Sequence, residues 1–387
     1  MNAIDDTFWR GRRVLVTGHT GCKGAWLCEW LLQLGADVHG LSLPETPADA
    51  LGSVLGLRSR LAHHECDVTD AVRVQDLVRT IRPEVVFHLA AQSLVLRSYR
   101  EPLPTLATNV MGTANLFAAI SGANYTPNRP CAVVCVTSDK CYRNDGTGRA
   151  FTETAPFGGG DLYSASKAMV ELLAQAWRHS FFAVGGDPAA VRLATARAGN
   201  VIGGGDIAAD RIVVDAVRAL ASGRPILVRQ PQAVRPWQHV LDPLAGYLAL
   251  AQRLFTQPGS SESGWNFGPL PAGERTVGEL CDSLVAAWGS GSWQHVPSPS
   301  NRPEAQVLRL DSRKAKRELG WRPTWPFATA IARTVDWYRE AFATDNDQAT
   351  MIALTQAQIA AFSCDRQTRP PRTPQAGTFA PLARGAR

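Results

Sequence analysis

The sequence predicts an α/β fold: a doubly wound parallel sheet followed by a smaller, mixed lobe toward the C-terminus. Three observations predict it. The stretch "RRVLVTGHTGCKGAWLCEWLLQLGADVHGLSL" reads as strand, glycine turn, helix, strand. Apolar runs recur at 84–91, 131–138 and 194–205, alternating with helical periodicity over 105–121 and 163–181. After about residue 205 that rhythm loosens, and proline and tryptophan accumulate.

Each element has a local reason. Val14 to Val16 form a short apolar strand, and Trp26, Leu27, Trp30, Leu31 and Leu34 recur at helical spacing until Gly35 stops the helix. Cys131 and Cys135 lie an even number apart on one strand, so they face the same way, and packing explains them better than chemistry. Arg235, Trp237, Trp265, Trp293, Trp321 and Trp325 mark short elements and loops suited to a lobe closing over a ligand at the carboxyl edge of the sheet. The organisation predicted is a first domain over 1–195 and a ligand lobe mainly over 196–345, with segments returning to the first domain. An extension over 346–387 follows, disordered from about 365.

Composition narrows the function classes. The chain has 387 residues, 45% of them hydrophobic, enough for a substantial core. No apolar run reaches the roughly 20 residues that span a bilayer, and the first residues lack the order of a secretion signal, which predicts a cytoplasmic protein without a membrane partner. The eight cysteines show no metal-type spacing, so neither a metal site nor a disulfide framework is expected. From Asp365 onward five arginines face one aspartate, so +4 of the net charge of +6 sits in the tail and the folded part is nearly neutral. A nucleic-acid partner is therefore not expected.

Two motifs carry chemistry. "TGHTGCKG" sets Gly18, Gly21 and Gly24 between a strand and a helix, where backbone N–H groups and the helix N-terminus meet a diphosphate. His19, Cys22 and Lys23 fill the turn, and a Rossmann-type dinucleotide site is implied. The second strand ends near Ser42 with Glu45 just beyond; no acid stands at the usual place for a ribose 2′-OH, and no cation for a 2′-phosphate, so NAD is favoured over NADP. "DLYSASKAMVELL" puts Tyr163 and Lys167 one helical turn apart, and a lysine cation beside the nicotinamide charge favours tyrosinate as a base. The run "VCVTSDKCY" ends a strand in Ser138, Asp139 and Lys140; a polar strand exit is the plain alternative.

Together these features resemble the extended short-chain dehydrogenase/reductase superfamily in its nucleotide-sugar-modifying branch. "VVFHLAAQSLV", "TNVMGT", "VTSDKCY", "YSASK", "RAGNVIGGGD", "RPWQHVLDPLAGYL", "GWNFGP" and "LDSRKAKRELGW" resemble the CDP-glucose 4,6-dehydratase family over about residues 8–340. The resemblance implies oxidation of a hexose at C4, loss of water across C5 and C6, and hydride return to C6. It makes Tyr163 the base at the C4 hydroxyl, Ser138 its hydrogen-bonding partner and Lys167 its support. Asp139 becomes the acid for the C6 hydroxyl and must be protonated. Lys140 stands where most nucleotide-sugar dehydratases carry glutamate at C5, as base or as enolate stabiliser. Asp67, Val68, Ala90 and Ala91 resemble cofactor-lining positions; Gln92, Asn109, Asn200 and Arg235 resemble substrate-binding ones. His239 reads as packing. The family often has arginine where Leu96 stands, and here Arg97 follows it. CDP-glucose is the implied substrate, and a homodimer or homotetramer is usual for the family. A 4-epimerase, which has no use for an Asp-Lys pair, and a non-catalytic NAD-binding regulator are the rival readings.

Overall fold

In the chain's computed structural model, which describes residues 4–44, 47–182, 190–259, 263–297 and 307–368, the glycine-turn unit opens the fold. Strand β1 (Arg13–Thr17) leads through the turn into α1 (Cys22–Gln33) and on to β2 (Asp37–Ser42). Then follow β3 (Ala62–Glu65), α2 (Ala71–Ile81), β4 (Val85–His88), α3 (Gly112–Ser121), β5 (Cys131–Val136), α4 (Leu162–Trp177) and β6 (Val191–Ala198). Next come α5 (Ile212–Ala221), α6 (Leu241–Thr256), β7 (Gly264–Phe267), α7 (Val277–Trp288), α8 (Phe327–Ala343) and α9 (Gln348–Thr368).

The seven strands form one sheet in the order β7-β6-β5-β4-β1-β2-β3, every neighbour pair parallel. Chain order reverses between β1 and β4, and the crevice above their carboxyl ends is where an open α/β sheet binds ligands. Helices cover both faces, which is why β4, β5 and β6 are buried at every residue and read as continuous apolar runs. Alternate residues feed two cores: Val85, Phe87, Ala132 and Val134 face one, while Val86, Cys131, Val133 and Cys135 face the other.

The region after 205 divides. Helix α6 packs on β5 and β6, and β7 completes the sheet beside β6. The rest combines α5, α7 and α8 with short two-stranded ribbons, among them 226–228 with 293–295 and 234–236 with 274–276. Trp237, Trp265, Trp321 and Trp325 are all buried.

The C-terminal extension departs from expectation. Residues 348–368 form α9, so order runs past 365, where disorder was expected, and the helix buries Met351, Ile359 and Phe362. The Phe362 ring meets Trp30 of α1 at 5.7 Å and Trp325 at 5.1 Å. Gln356 Nε2 donates to Glu29 Oε1 of α1 at 2.7 Å. The physical reason is a stripe at 351, 355, 358, 359 and 362, helical in spacing but polar at two of its five positions, so it escapes a reading for apolar periodicity. The arginine-rich stretch from 369 lies outside the described residues, as does Glu45.

Candidate active site

The turn after β1 is shaped by close approach. Gly18 has φ +71°, and a Cβ there would lie 2.8 Å from Ala90 N. A Cβ on Gly24 would lie 2.2 Å from Gly18 O, so only glycine lets α1 begin this close to the turn. Gly21 caps α1 without any side-chain hydrogen bond, leaving its first N–H groups for a ligand. Behind the turn, Thr17 Oγ1 accepts from Leu89 N at 3.2 Å and Ala90 N at 3.1 Å. Its one hydrogen then goes to His88 Nδ1 at 2.7 Å, so His88 carries its proton on Nε2 and gives it to Thr113 Oγ1 at 2.9 Å. Burial holds His88 neutral, its pKa pushed down to about 3.

The turn opens on a cleft of 1680 Å³, well above the roughly 300–1000 Å³ of ordinary small-molecule sites. It has room for a dinucleotide and a second ligand together. It is lined by Gly18, Gly21, Cys22, Lys23, Ser42, Asp67, Val68, Ala90 and Ala91 from the glycine turn and the neighbouring strand ends, by Ser138, Asp139, Lys140, Tyr163 and Lys167, and by Asn200, Arg211 and Arg235. NAD fits the glycine-turn side of the cleft: a helix N-terminus without a side-chain cap and the glycines at 18, 21 and 24 suit its diphosphate, and Ser42 and Asp67 offer oxygens near the strand ends.

Tyr163 and Lys167 share a face of α4, both buried. The Lys167 ammonium donates to Val136 O at 3.3 Å, tying the helix to the end of β5. Burial pushes the Tyr163 phenol up to about 12, against the opposing pull of a Ser138 hydrogen bond and the Arg211 charge. Tyrosinate, expected from sequence, is thus not the resting form of the chain alone. Ser138, Asp139 and Lys140 leave β5 in one 3₁₀ turn. Ser138 Oγ accepts from Lys140 N at 3.2 Å and donates to Asp139 Oδ1 at 3.0 Å. Asp139 is 2% exposed, and its Oδ2 is buried without a hydrogen-bond partner.

Three side chains expected at the cleft stand behind its wall instead. His19 is fully buried, its Nε2 3.0 Å from His63 Nδ1, in space that Gly40 leaves open. Asn109 accepts from Gln92 N at 2.8 Å and donates to Gln92 O at 3.0 Å and Ser166 Oγ at 2.9 Å; Ser166 Oγ donates to Tyr163 O at 2.7 Å. The Gln92 amide donates to Thr105 Oγ1 at 2.9 Å. Gln92 and Asn109 therefore brace the α4 entry rather than line the cleft. His239 is buried between Trp26 and Trp325, a packing residue. Leu96 and Arg97 both border the cleft, and Arg97 Nε pairs with Glu101 at 2.8 Å.

The structure adds one group that motif reading missed, Arg211. Arg211 Nη2 donates to Ser93 Oγ at 3.0 Å and Nη1 pairs with Asp206 at 3.3 Å, which holds a cation over the cleft. The acid and arginine after "GGG" were the available signal. Lys23 reaches inward and lies 5.9 Å from the Tyr247 ring centroid. Burial, with Arg211 and Lys167 nearby, pushes its pKa down to about 8.

A strand-borne Ser-Asp-Lys facing Tyr-x-x-x-Lys across a glycine-turn cleft defines a short-chain dehydrogenase/reductase type of site. The family model described as GDP-mannose 4,6 dehydratase matches residues 15–334, and the chain belongs to that family of extended short-chain dehydrogenases/reductases. It is 42% identical over 341 residues to a CDP-glucose 4,6-dehydratase of Salmonella typhimurium, covering 87% of this chain and 93% of that protein. Among solved structures, a dTDP-glucose 4,6-dehydratase of Streptomyces venezuelae with NAD bound is similar at TM-score 0.72 and 27% identity, covering 86% of this chain and 98% of that one. A UDP-glucose 4-epimerase of Thermus thermophilus in complex with NAD is similar at TM-score 0.71 and 25% identity, covering 85% of this chain and 99% of that one. Among the described residues no helix is long and apolar enough to cross a membrane.

Proposed function

We propose that the chain is an NAD-dependent nucleotide-sugar 4,6-dehydratase that converts CDP-glucose to CDP-4-keto-6-deoxyglucose. The observation that carries the reading is the Asp139-Lys140 pair beside Ser138, turned into the same cleft as Tyr163 and Lys167. The 42% identity to a CDP-glucose 4,6-dehydratase supports the choice of sugar nucleotide.

The glycine turn and the N-terminus of α1 would hold NAD, which when bound would supply the hydride acceptor and donor that the reaction needs. Tyr163 takes the proton of the C4 hydroxyl, with Ser138 bonded to the same oxygen and the Lys167 charge favouring the phenolate. The C4 ketone acidifies the C5 proton, which Lys140 serves as base or as counter-ion to the enolate. Asp139 gives the departing C6 hydroxyl its proton, and Oδ2 is the oxygen open for that exchange. Asn200 and Arg235 also line the cleft, where the guanidinium grips the sugar nucleotide's diphosphate. A 4-epimerase needs neither proton-transfer group at C5 and C6.

Leu103, Met111, Met169, Leu172 and Phe181 are exposed large apolar side chains on the segments around α3 and α4. A second copy of this chain packing helix on helix there gives a homodimer. All eight cysteines are free thiols, in keeping with a reducing cytoplasm. The test is incubation of purified protein with NAD and CDP-, dTDP-, GDP- or UDP-glucose, followed by product mass. Loss of one water from CDP-glucose is expected; a product of unchanged mass overturns the reading in favour of an epimerase.

A further inference from the structure

Behind the Ser-Asp-Lys turn lies a buried ion pair that the reaction does not touch. Glu171 of α4 and Arg197 of β6 have side chains 1% and 3% exposed. The guanidinium forks onto the carboxylate, Nε to Oε1 and Nη2 to Oε2, each at 2.7 Å. Thr195 Oγ1 donates to Oε2 at 2.6 Å, and the Arg197 charge keeps the Glu171 carboxyl below its usual range despite burial. A pair this enclosed gains little net stability over apolar residues, because desolvation opposes it. Its partners show what it holds.

Thr137, immediately before Ser138, donates its hydroxyl to Glu171 Oε1 at 2.5 Å. Tyr142, two residues beyond Lys140, has its phenol oxygen bonded by Arg197 Nη1 at 2.5 Å and itself donates to Asn266 Oδ1 at 2.7 Å. Both ends of the segment that carries Ser138, Asp139 and Lys140 are therefore fastened to one ion pair. Glu171 also stands one turn beyond Lys167 and two beyond Tyr163 on α4. One carboxylate thus ties the helix bearing Tyr163 and Lys167 to the turn bearing the Ser-Asp-Lys trio.

We infer that Glu171, Arg197, Thr137 and Tyr142 form a positioning clamp that sets the distance between the two halves of the catalytic centre. The inference rests on the dehydratase reading for the steps it serves. Proton transfer at C4, C5 and C6 needs groups on both halves in register with one sugar, and a misplacement of about 1 Å costs about 100-fold in rate. Loosening the clamp lowers kcat and leaves binding through Asn200 and Arg235, which take no part in it, nearly unchanged.

Tyr142→Phe and Thr137→Val remove the two hydroxyl anchors while keeping shape; the Tyr142 ring still stacks on Phe151 at 4.9 Å. Each variant is compared with the full-length wild type for kcat and KM on CDP-glucose, thermal midpoint, and backbone hydrogen exchange by mass spectrometry. Expected in each are a kcat lower by about 10-fold or more, KM within about 2-fold, a retained cooperative melt, and faster exchange confined to peptides spanning 137–142. In the double variant both effects deepen. Unchanged kcat in both single variants, or kcat lost only in proportion to the unfolded fraction, overturns the clamp. If wild type turns over no nucleotide sugar, the dehydratase reading fails, and the exchange data alone decide: unaltered exchange over 137–142 overturns the clamp, local loosening sustains it.

Discussion

Removing the Ser138 hydroxyl tests the chemistry most directly, because its one hydrogen has two claimants. In the resting structure it points to Asp139 Oδ1 at 3.0 Å, and in catalysis it must turn to the oxyanion formed where the Tyr163 phenol meets the C4 hydroxyl. Burial places the phenol at about 12 against an ordinary value of 10.0. That difference makes ionisation harder by about 3 kcal/mol. A hydrogen bond to an anion contributes about 1.5–3 kcal/mol. Since the hydroxyl must leave Asp139 to make it, the lower figure applies, about one pH unit. In Ser138→Ala, kcat on CDP-glucose at pH 7.5 should fall about 10-fold, and the rising limb of the kcat–pH curve should move up by about one unit. Steady-state kinetics from pH 6 to 10, with a melt to establish folding, measures both. A folded variant with kcat within about 2-fold of wild type and an unmoved limb refutes the assignment of Ser138 to the Tyr163 oxygen.

Asp139→Asn should slow water loss more than C4 oxidation, so a 4-keto hexose that retains its C6 hydroxyl accumulates in a single turnover quenched with borohydride; equal slowing of both steps removes its role as acid. Phe362→Ala should cost about 3–5 kcal/mol, because the ring is fully buried between Trp30 and Trp325; denaturant unfolding reads it, and a loss below about 1 kcal/mol contradicts the docking of α9. His19, His88 and His239 are held neutral by burial, with pKa values pushed down to about 4, 3 and 3. The unfolded chain takes up their protons first, so the stability they contribute is present above pH 6.5 and lost as pH falls from there toward 3–4. Each contributes a slope of about 1.4 kcal/mol per pH unit in that window. Urea midpoints between pH 7 and 4.5 measure the slope; His88→Gln should flatten it.

The sheet and the glycine turn were legible because their signals are local. Continuous apolar runs mark doubly covered strands, and glycines at a strand-to-helix junction mark a backbone that approaches something closely. Tyr163 and Lys167 are four residues apart, so helical geometry alone puts them side by side. Ser138, Asp139 and Lys140 share one strand exit for the same reason. Helix α9 was within reach of the sequence too, but its buried stripe includes Thr355 and Gln358, which an apolar count passes over.

Other features needed the folded chain. His19 and Asn109 sit within recognisable motifs, yet whether a side chain enters the cleft depends on what occupies the space behind it: Gly40 makes room for one, and Gln92 binds the other. Glu171 and Arg197 lie 26 residues apart in the chain and meet only because β5 and β6 are neighbours with α4 packed across them. Sequence fixes which residues share an element, since 3.6-residue and two-residue periods follow from backbone geometry. Which elements confront one another, and so which buried charges find partners, is decided by packing of the whole sheet, a long-range outcome that no local period encodes.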